Sequence, residues 1–166
     1  MSCCKRRQFL AGLFALPIAT SGCGFTPLYS DNQPASRLFG RIEIDPPEGK
    51  FGFDLRDRLV TRLGNASAPQ YVLKITTEVD SDGRAIRSDS SITRVNLQGE
   101  AKFSITPIGA NRAVFVENVR TFTAYSTTAS PFATQVAAED AGRRLARALA
   151  DQIVLRLSAT AGEWLE

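Results

Sequence analysis

The side chains that most often carry out chemistry are scarce in this 166-residue chain. It contains no histidine, which excludes a Ser-His-Asp triad, a Cys-His dyad and a His-ligated metal site. Its three cysteines, Cys3, Cys4 and Cys23, all lie near the N-terminus, so residues after 23 cannot form an internal disulfide. The reactive residue types therefore direct attention to the N-terminal segment.

Cys23 stands in a sequence that suits acylation of a thiol. The residues before it, Thr20-Ser21-Gly22, are small enough for the backbone to enter a peptidase cleft, and the motif resembles a bacterial lipobox. The usual box has leucine where Thr20 stands. The pattern predicts that the Cys23 sulfur is diacylated after cleavage in front of it, and two or more acyl chains anchor a protein stably to a membrane. The alternative is an ordinary signal peptide that contains a cysteine by chance.

Residues 1–22 have the pattern of a secretory signal. A short basic run, Lys5-Arg6-Arg7, precedes an apolar stretch over residues 9–19. That stretch is shorter than the roughly 20 residues that a membrane-spanning helix needs. Gly24 follows Cys23, where Asp would resemble the enteric inner-membrane retention signal. We therefore expect a lipid-anchored, periplasm-facing protein of the cell outer membrane.

The net positive charge of the chain comes from its predicted export signal. The 20 basic and 17 acidic residues give a net charge of +3. Lys5, Arg6 and Arg7 account for that whole excess, so the remainder is balanced and predicts no nucleic-acid partner. Arg6-Arg7-Gln8-Phe9-Leu10 also resembles the twin-arginine export pattern. Two adjacent arginines in a Sec signal are the alternative.

No catalytic or metal site is expected after residue 23. The three lysines there, Lys50, Lys74 and Lys102, belong to no Ser-x-x-Lys motif, and no Gly-rich phosphate loop or G-x-S-x-G is present. Residues 80–83 resemble the start of a calcium loop, but its twelfth position is Ser91 rather than a bidentate Glu. The sequence therefore predicts a non-enzymatic protein without a metal or cofactor.

One basic cluster is a candidate binding site. Arg84, Arg87 and Arg94 lie close together in the sequence, with Lys102 further along. Because arginine pairs bidentately with phosphate, these residues beside a sheet edge could hold an anionic amphiphile. The alternative is that they are exposed strand residues that deter edge-to-edge pairing.

Hydrophobic periodicity indicates the elements that must position this cluster. Alternation predicts strands at residues 38–44 and 70–79, and a helical stripe with Phe53 on its apolar side predicts a helix over 53–63, ending at Gly64. Turn residues predict a break at 80–83. Further alternation predicts an extended stretch at 85–87 and a hairpin of strands at 95–105 and 113–125 around a turn at 107–111.

The C-terminal part predicts a second, longer helix over residues 131–157. Ser130-Pro131 is typical of a helix start, and an apolar stripe runs from Ala138 to Leu157. Two i,i+4 ion pairs, Glu139–Arg143 and Asp140–Arg144, should stabilise the helix on its solvent-exposed face. The fold class is therefore α+β, with two amphipathic helices packed on one face of a four-stranded mixed or antiparallel sheet. A single domain over residues 38–160 follows a lipidated tether at 23–37.

Several short motifs resemble the LptE family of lipopolysaccharide-assembly lipoproteins in its alphaproteobacterial form. They are Gly22-Cys23-Gly24-Phe25-Thr26-Pro27-Leu28-Tyr29, then Ser130-Pro131-Phe132-Ala133, Ala138-Glu139-Asp140-Ala141, Leu149-Ala150-Asp151-Gln152-Ile153 and Leu155-Arg156-Leu157. The predicted order of elements is also similar to that family. The resemblance covers nearly the whole chain, although each motif is short.

The resemblance implies a protein that plugs the LptD β-barrel, assists its assembly and binds lipopolysaccharide during insertion into the outer leaflet. It makes Arg87 in Ala85-Ile86-Arg87 the main candidate for lipopolysaccharide binding. It makes Arg120 the nearest match to a second basic position, although Glu117 stands where that residue is expected. The alternative function is that of an auxiliary periplasmic lipoprotein in a lipid ABC transport system.

Overall fold

The computed structural model describes residues 34–86, 92–127 and 130–165. Their order is a short 3-10 helix, strand, helix, three strands and a long helix. In sequence these are the 3-10 helix Pro34–Leu38, β1 (Ile42–Asp45), α1 (Gly49–Leu63), β2 (Tyr71–Ile86), β3 (Ile92–Pro107), β4 (Phe115–Ser126) and α2 (Pro131–Trp164). Neither α-helix in these ranges has an apolar stretch long enough to cross a bilayer.

The four strands form one mixed sheet in the order β1-β2-β3-β4. The pairing of β1 with β2 is parallel, because α1 carries the chain back between them, whereas the other two pairings are antiparallel. Alternate side chains of the strands pack with both helices in one hydrophobic core. The α+β fold predicted from the sequence is confirmed.

The first strand begins later than predicted. Leu38 lies in the 3-10 helix and not in a strand, and β1 starts only at Ile42. Ala35 and Leu38 are both 1% exposed, because this helix packs against the C-terminal half of α2. Part of the predicted tether is therefore packed onto the domain.

Helix α1 also starts earlier than predicted, at Gly49, and it ends at Gly64 as expected. Its buried positions are Leu55, Leu59 and Leu63, whereas Phe53 is 68% exposed, so the placement of Phe53 on the apolar face was wrong. Gly52 has a steric role, since a Cβ there would lie 1.6 Å from the carbonyl oxygen of Pro47. The backbone of Pro47 therefore packs against the first turn of α1 at a distance that only glycine allows.

The turn predicted at residues 80–83 was also wrong, because β2 runs without a break to Ile86. Asp80 pairs opposite Gln98, and Gly83 opposite Val95, in a continuous antiparallel register. Asp and Gly favour turns only where no partner strand competes, and here β3 supplies one over the full length of β2. The connection between these strands lies outside the described residues.

The turn between β3 and β4 is confirmed at its predicted position. Gly109 has a φ of +86°, and the Ala110 N–H donates to the Pro107 carbonyl at 3.0 Å. On β3, Ala101, Phe103 and Ile105 are buried beneath the helices. Gly99 lets α2 approach the sheet, since a Cβ there would lie 3.1 Å from side-chain atoms of Leu145 and Leu149.

Helix α2 begins as predicted but continues beyond Leu157 to Trp164. Ser130 is its N-cap, accepting from the Ala133 N–H at 3.4 Å, and Pro131 occupies the first turn. Its buried stripe contains Ala141, Leu145, Ala146, Leu149, Ala150, Ile153, Val154, Leu157, Ser158, Ala161 and Trp164. Trp164 meets Tyr71 edge-on at 5.6 Å and Phe115 in a stacked arrangement at 6.1 Å between ring centroids.

Ion pairs join the two α-helices along their length. Arg58 of α1 donates two hydrogen bonds to Asp151 of α2, both at 3.0 Å, and Lys50 pairs with Glu139 at 2.9 Å. The two pairs occur in the same order on both helices, so α1 and α2 run parallel. Glu139 therefore binds α1 and not its predicted partner Arg143.

Candidate functional site

Two of the predicted basic residues occupy opposite backbone positions at one end of the sheet. Arg84 of β2 and Arg94 of β3 are cross-strand partners, and Arg94 is in turn opposite Ser126 at the end of β4. We call this end of the sheet, together with the first two turns of α2, the distal end. Arg87 and Cys23 lie outside the described residues.

The chain itself places the N-terminus of α2 at the distal end. Only residues 127–130 separate Ser126 from the first residue of α2. A helix of 34 residues directs its unpaired N–H groups, and the positive end of its dipole, toward this region. The N-terminus of α2 therefore adds positive potential at the end of the sheet that contains Arg94.

A shallow depression of about 310 Å³ opens at the distal end. It is lined by Arg94, Ala124, Tyr125, Ser126, Ala137, Asp140 and Arg144. Arg144 is already engaged, with hydrogen bonds to Asp140 at 2.9 Å, Thr123 at 3.0 Å and the Ala124 carbonyl at 3.2 Å. Arg94 is exposed and has no ion-pair partner within the ranges that the structure describes, so its charge faces solvent.

Asp140 is neutralised by its neighbours on α2. It accepts from Arg144 at 2.9 Å and from Arg143 at 3.2 Å. These hydrogen bonds lower the pKa of the Asp140 carboxyl, which therefore stays ionised and paired. The Asp140–Arg144 pair predicted from the spacing is confirmed, and the depression retains the net positive charge of Arg94.

Apolar side chains are also exposed on the first turns of α2. Phe132 is 77% exposed and Val136 49% exposed on the first turns of α2, and their i,i+4 spacing puts them on one face. Lys50, at the start of α1, pairs with Glu139 of α2. The residues of α2 before Glu139, which include Phe132 and Val136, therefore extend past the start of α1. The distal end thus combines basic and apolar surface.

The structure separates Arg120 from the distal end. Arg120 lies opposite Glu100, whereas Arg94 lies opposite Ser126, which puts Arg120 six residues, or about 20 Å, back along β4. Glu100 accepts from Arg120 at 2.8 Å and from Asn118 at 2.9 Å. The Arg120 guanidinium, and then the Asn118 amide, lower the pKa of Glu100 by hydrogen bonding. Arg120 is therefore already paired with an ionised carboxylate.

A second depression, of about 430 Å³, surrounds Arg120. Its lining consists of Glu78, Asp80, Gln98, Gly99, Glu100, Arg120, Thr121 and Phe122. The lining contains three carboxylates and one guanidinium, and Lys102 in the adjacent row adds a further positive charge beside Glu100. Glu117, which occupies the expected basic position, faces the helices and pairs with Arg156 at 3.5 Å.

Exposed apolar residues were not recognised in the sequence as surface features. Phe122 is 74% and Val116 69% exposed, on the sheet face opposite the helices. Both have the same parity along β4, whereas the buried Val119 has the other, and this period of two could have identified them. Within the described ranges, no group of three potential ligands is placed to hold a metal ion.

Comparisons with known proteins support the fold. A relative from Rickettsia prowazekii (strain Madrid E), described as uncharacterized, is 23% identical over 145 residues, 87% of this chain and 92% of that protein. A lipoprotein candidate from Caulobacter crescentus CB15 is 24% identical with a TM-score of 0.63, covering 78% of this chain and 96% of that chain. Rare lipoprotein B from Shewanella oneidensis is 14% identical with a TM-score of 0.56, covering 74% and 96% respectively.

The match to a family is more specific than these structural likenesses. The family model described as LptE, lipopolysaccharide-assembly, matches residues 39–157. That range begins just before β1 and ends at Leu157, about two turns before the end of α2, so it includes all four strands, α1 and most of α2. This protein belongs to the LptE family of lipopolysaccharide-assembly proteins.

Proposed function

We propose that this protein is an outer-membrane lipoprotein that binds lipopolysaccharide and plugs an LptD-like β-barrel, whose assembly it also assists. Family membership supports the role in lipopolysaccharide assembly. The sequence around Cys23 supports lipid anchoring on the periplasmic side, and the similar solved proteins are described as lipoproteins. No catalytic step is part of the proposal.

The observation that carries the lipopolysaccharide proposal is the mixed character of the distal end. The lipid part of lipopolysaccharide bears phosphates and acyl chains, so its binding site needs cations beside apolar surface. Arg84 and Arg94 are paired across the strands there, and Phe132 and Val136 are exposed on the adjoining helix. Arginine suits phosphate because it offers two parallel donors.

Capture of lipopolysaccharide by the full-length protein in detergent tests this site. We expect Arg94→Glu and Arg87→Asp each to lower the captured amount about three- to tenfold, because each removes a charge-assisted contact and adds a repulsion. Arg112→Glu is the matched control, since Arg112 is an exposed residue of the β3–β4 turn at the other end of the sheet. Unchanged capture by both Arg94→Glu and Arg87→Asp would place the site elsewhere.

Gentle extraction from the membrane tests the partner. We expect a large β-barrel protein to co-purify with the wild-type lipoprotein. Recovery of an inner-membrane permease in its place would contradict the proposal and support the alternative role in a lipid ABC transport system.

A further inference from the structure

A largely apolar depression opens at the end of the sheet opposite the distal end. We call it the proximal depression. It has a volume of about 540 Å³ and is lined by Ala110, Arg112, Ala113, Val114, Glu163, Trp164 and Leu165. The turn after β3 and the last residues of α2 thus form its walls. Val114 is 48% exposed and Leu165 is only partly buried, so the described elements leave this apolar surface open.

The lining of the proximal depression carries no net charge. Arg112 is its one basic residue and Glu163 its one acidic residue. Both residues are exposed, so an occupant can cover the apolar lining without burying either charge. The depression therefore suits a neutral, apolar occupant, in contrast to the distal end, where the charge of Arg94 faces solvent.

The N-terminal part of the same chain contains a segment of this character. Residues 24–30 have no charged side chain, and Phe25, Leu28 and Tyr29 are large and apolar or aromatic. Flexible linkers are usually rich in small and polar residues. A segment with these three side chains gains free energy when it covers apolar surface instead of remaining in water.

The chain enters the described fold beside the proximal depression. Pro34 packs on Gly162, where a Cβ would lie 3.7 Å from the Pro34 ring. Leu165 follows Gly162 by three residues, which puts the two on the same side of the helix, and its N–H donates to the Ala161 carbonyl at 3.0 Å. Residues 30–33 separate Tyr29 from Pro34, so these two Cα atoms can lie up to about 17 Å apart. Residues 25–29 can therefore reach the depression.

We propose that residues 25–29 dock in the proximal depression of the same molecule, where Phe25, Leu28 and Tyr29 cover Val114 and Leu165. The chain already packs on α2 from Pro34 onward, so this contact continues an existing one toward the N-terminus. The contact needs neither a barrel nor lipopolysaccharide. Its consequence for anchoring rests on the proposed function, because it requires acyl chains on Cys23.

Docking shortens the free part of the tether. Residues 23–33 lie between the proposed lipid and Pro34, and fully extended they would span about 36 Å. With residues 25–29 held on the domain, only Gly24 separates Cys23 from the docked segment, a distance of about 7 Å. The proximal end of the molecule is then kept at the membrane surface, and the segment orients the domain as well as tethering it.

Disulfide formation in the full-length lipoprotein tests the contact. Leu28→Cys is combined with Val114→Cys in one variant and with Ile108→Cys in the control. Ile108 is similarly exposed (52%) near the same turn, but its N–H donates to the Gln70 carbonyl at 2.9 Å, and it does not line the depression. Under mild oxidation, we expect the 28–114 disulfide to form at least fivefold faster than the 28–108 disulfide. Equal rates would overturn the proposal.

Release of the domain by chymotrypsin tests the same contact without a new covalent bond. The protease cuts after residues such as Phe25 and Tyr29, and this cleavage separates the domain from phospholipid vesicles that carry the lipoprotein. We expect Val114→Glu to speed release at least fivefold, because a charge in the depression weakens docking of an apolar segment. Ile108→Glu should stay within about twofold of wild type.

Equal release from the wild type and both glutamate variants would overturn the proposal. Equally slow release would mean that the membrane, and not the depression, protects the segment. Equally fast release would mean that nothing protects it.

Docking and the proposed function can fail separately. Mass spectrometry of the purified protein measures acylation of Cys23, and co-purification measures the barrel. A protein without acyl chains or barrel would contradict the proposed function, while the disulfide rates would still decide on docking. An acylated protein that recovers the barrel but forms both disulfides at equal rates would contradict docking alone.

Discussion

The half-buried carboxylate of Glu100 links two strands through its hydrogen bonds. It stands opposite Arg120 in the β3–β4 register and accepts hydrogen bonds from both Arg120 and Asn118. Both donors favour the charged form, so the folded protein lowers the pKa of Glu100 below its ordinary value of 4.5. The contribution to stability is consequently present above pH 4.5 and lost as the pH falls through the folded value.

The lowered pKa of Glu100 predicts the effect of replacing Glu100 by Gln. We expect the free energy of unfolding of the wild type to fall with pH below about 4.5 more steeply than that of Glu100→Gln, because the variant has no such proton to bind. Denaturant titrations between pH 3 and 7 measure the two slopes. Glu163→Gln is the control, since no described ion pair involves it, and it should keep the wild-type slope. A wild-type slope in Glu100→Gln would show that the network does not act through ionisation.

At the scale of elements, the last turns of α2 close the core. Trp164 is 7% exposed and contacts both Tyr71 of β2 and Phe115 of β4. The helix thus joins the two strands on either side of β3 at the end opposite Arg84 and Arg94. Truncating this side chain would leave a cavity among three elements.

We expect Trp164→Ala to lower the free energy of unfolding by about 3–5 kcal/mol, the usual cost of removing a large buried aromatic side chain. Leu155→Ala, on the exposed side of the same helix, should change it by less than about 0.5 kcal/mol. Chemical denaturation of both variants and the wild type measures the difference. Equal effects would mean that the C-terminal turns do not pack as described.

Elements with a clear periodicity could be predicted from the sequence, and those decided by tertiary partners could not. The β3–β4 hairpin and the Ser130 cap follow from local patterns, and the structure confirms both. The residues 80–83 favour a turn locally, but pairing with β3 keeps them in a strand. The helix predicted to end at Leu157 continues through Gly162 to Trp164, whose ring packs against the sheet, although glycine has a low helix propensity.

The candidate site could also be predicted only in part from the sequence. The sequence indicated the cluster of Arg84 and Arg94, because they lie near each other along the chain. It also placed the start of α2 directly after the last strand, but it could not indicate that Arg120 is paired with Glu100. That pairing depends on strand register, which one sequence does not determine.

At the scale of the whole molecule, charge and anchorage are separate. The excess positive charge belongs to residues 5–7, so attraction to an anionic membrane surface is not expected to hold the processed protein in place. Acyl chains on Cys23 are the proposed anchor.

We expect Cys23→Ala to leave the protein in the soluble fraction after cell breakage and a salt wash, because the acceptor thiol is gone. Cys4→Ala is the control, since it changes a cysteine without touching the residues around the proposed cleavage point, and it should remain with the membrane. Fractionation followed by immunoblotting measures both. A Cys23→Ala protein that resists the salt wash would contradict lipid anchoring.

Pro34, the first described residue, packs beside Gly162 near the C-terminal end of α2. The chain enters the described fold at the C-terminal end of α2, so Arg94 and Phe132 lie at the far end of a helix about 50 Å long. A whole bilayer with its headgroups is about 40–45 Å thick. Under the proposed function, with acyl chains on Cys23 in the inner leaflet and α2 along the membrane normal, this length would let the distal end reach the outer leaflet, into which lipopolysaccharide is inserted.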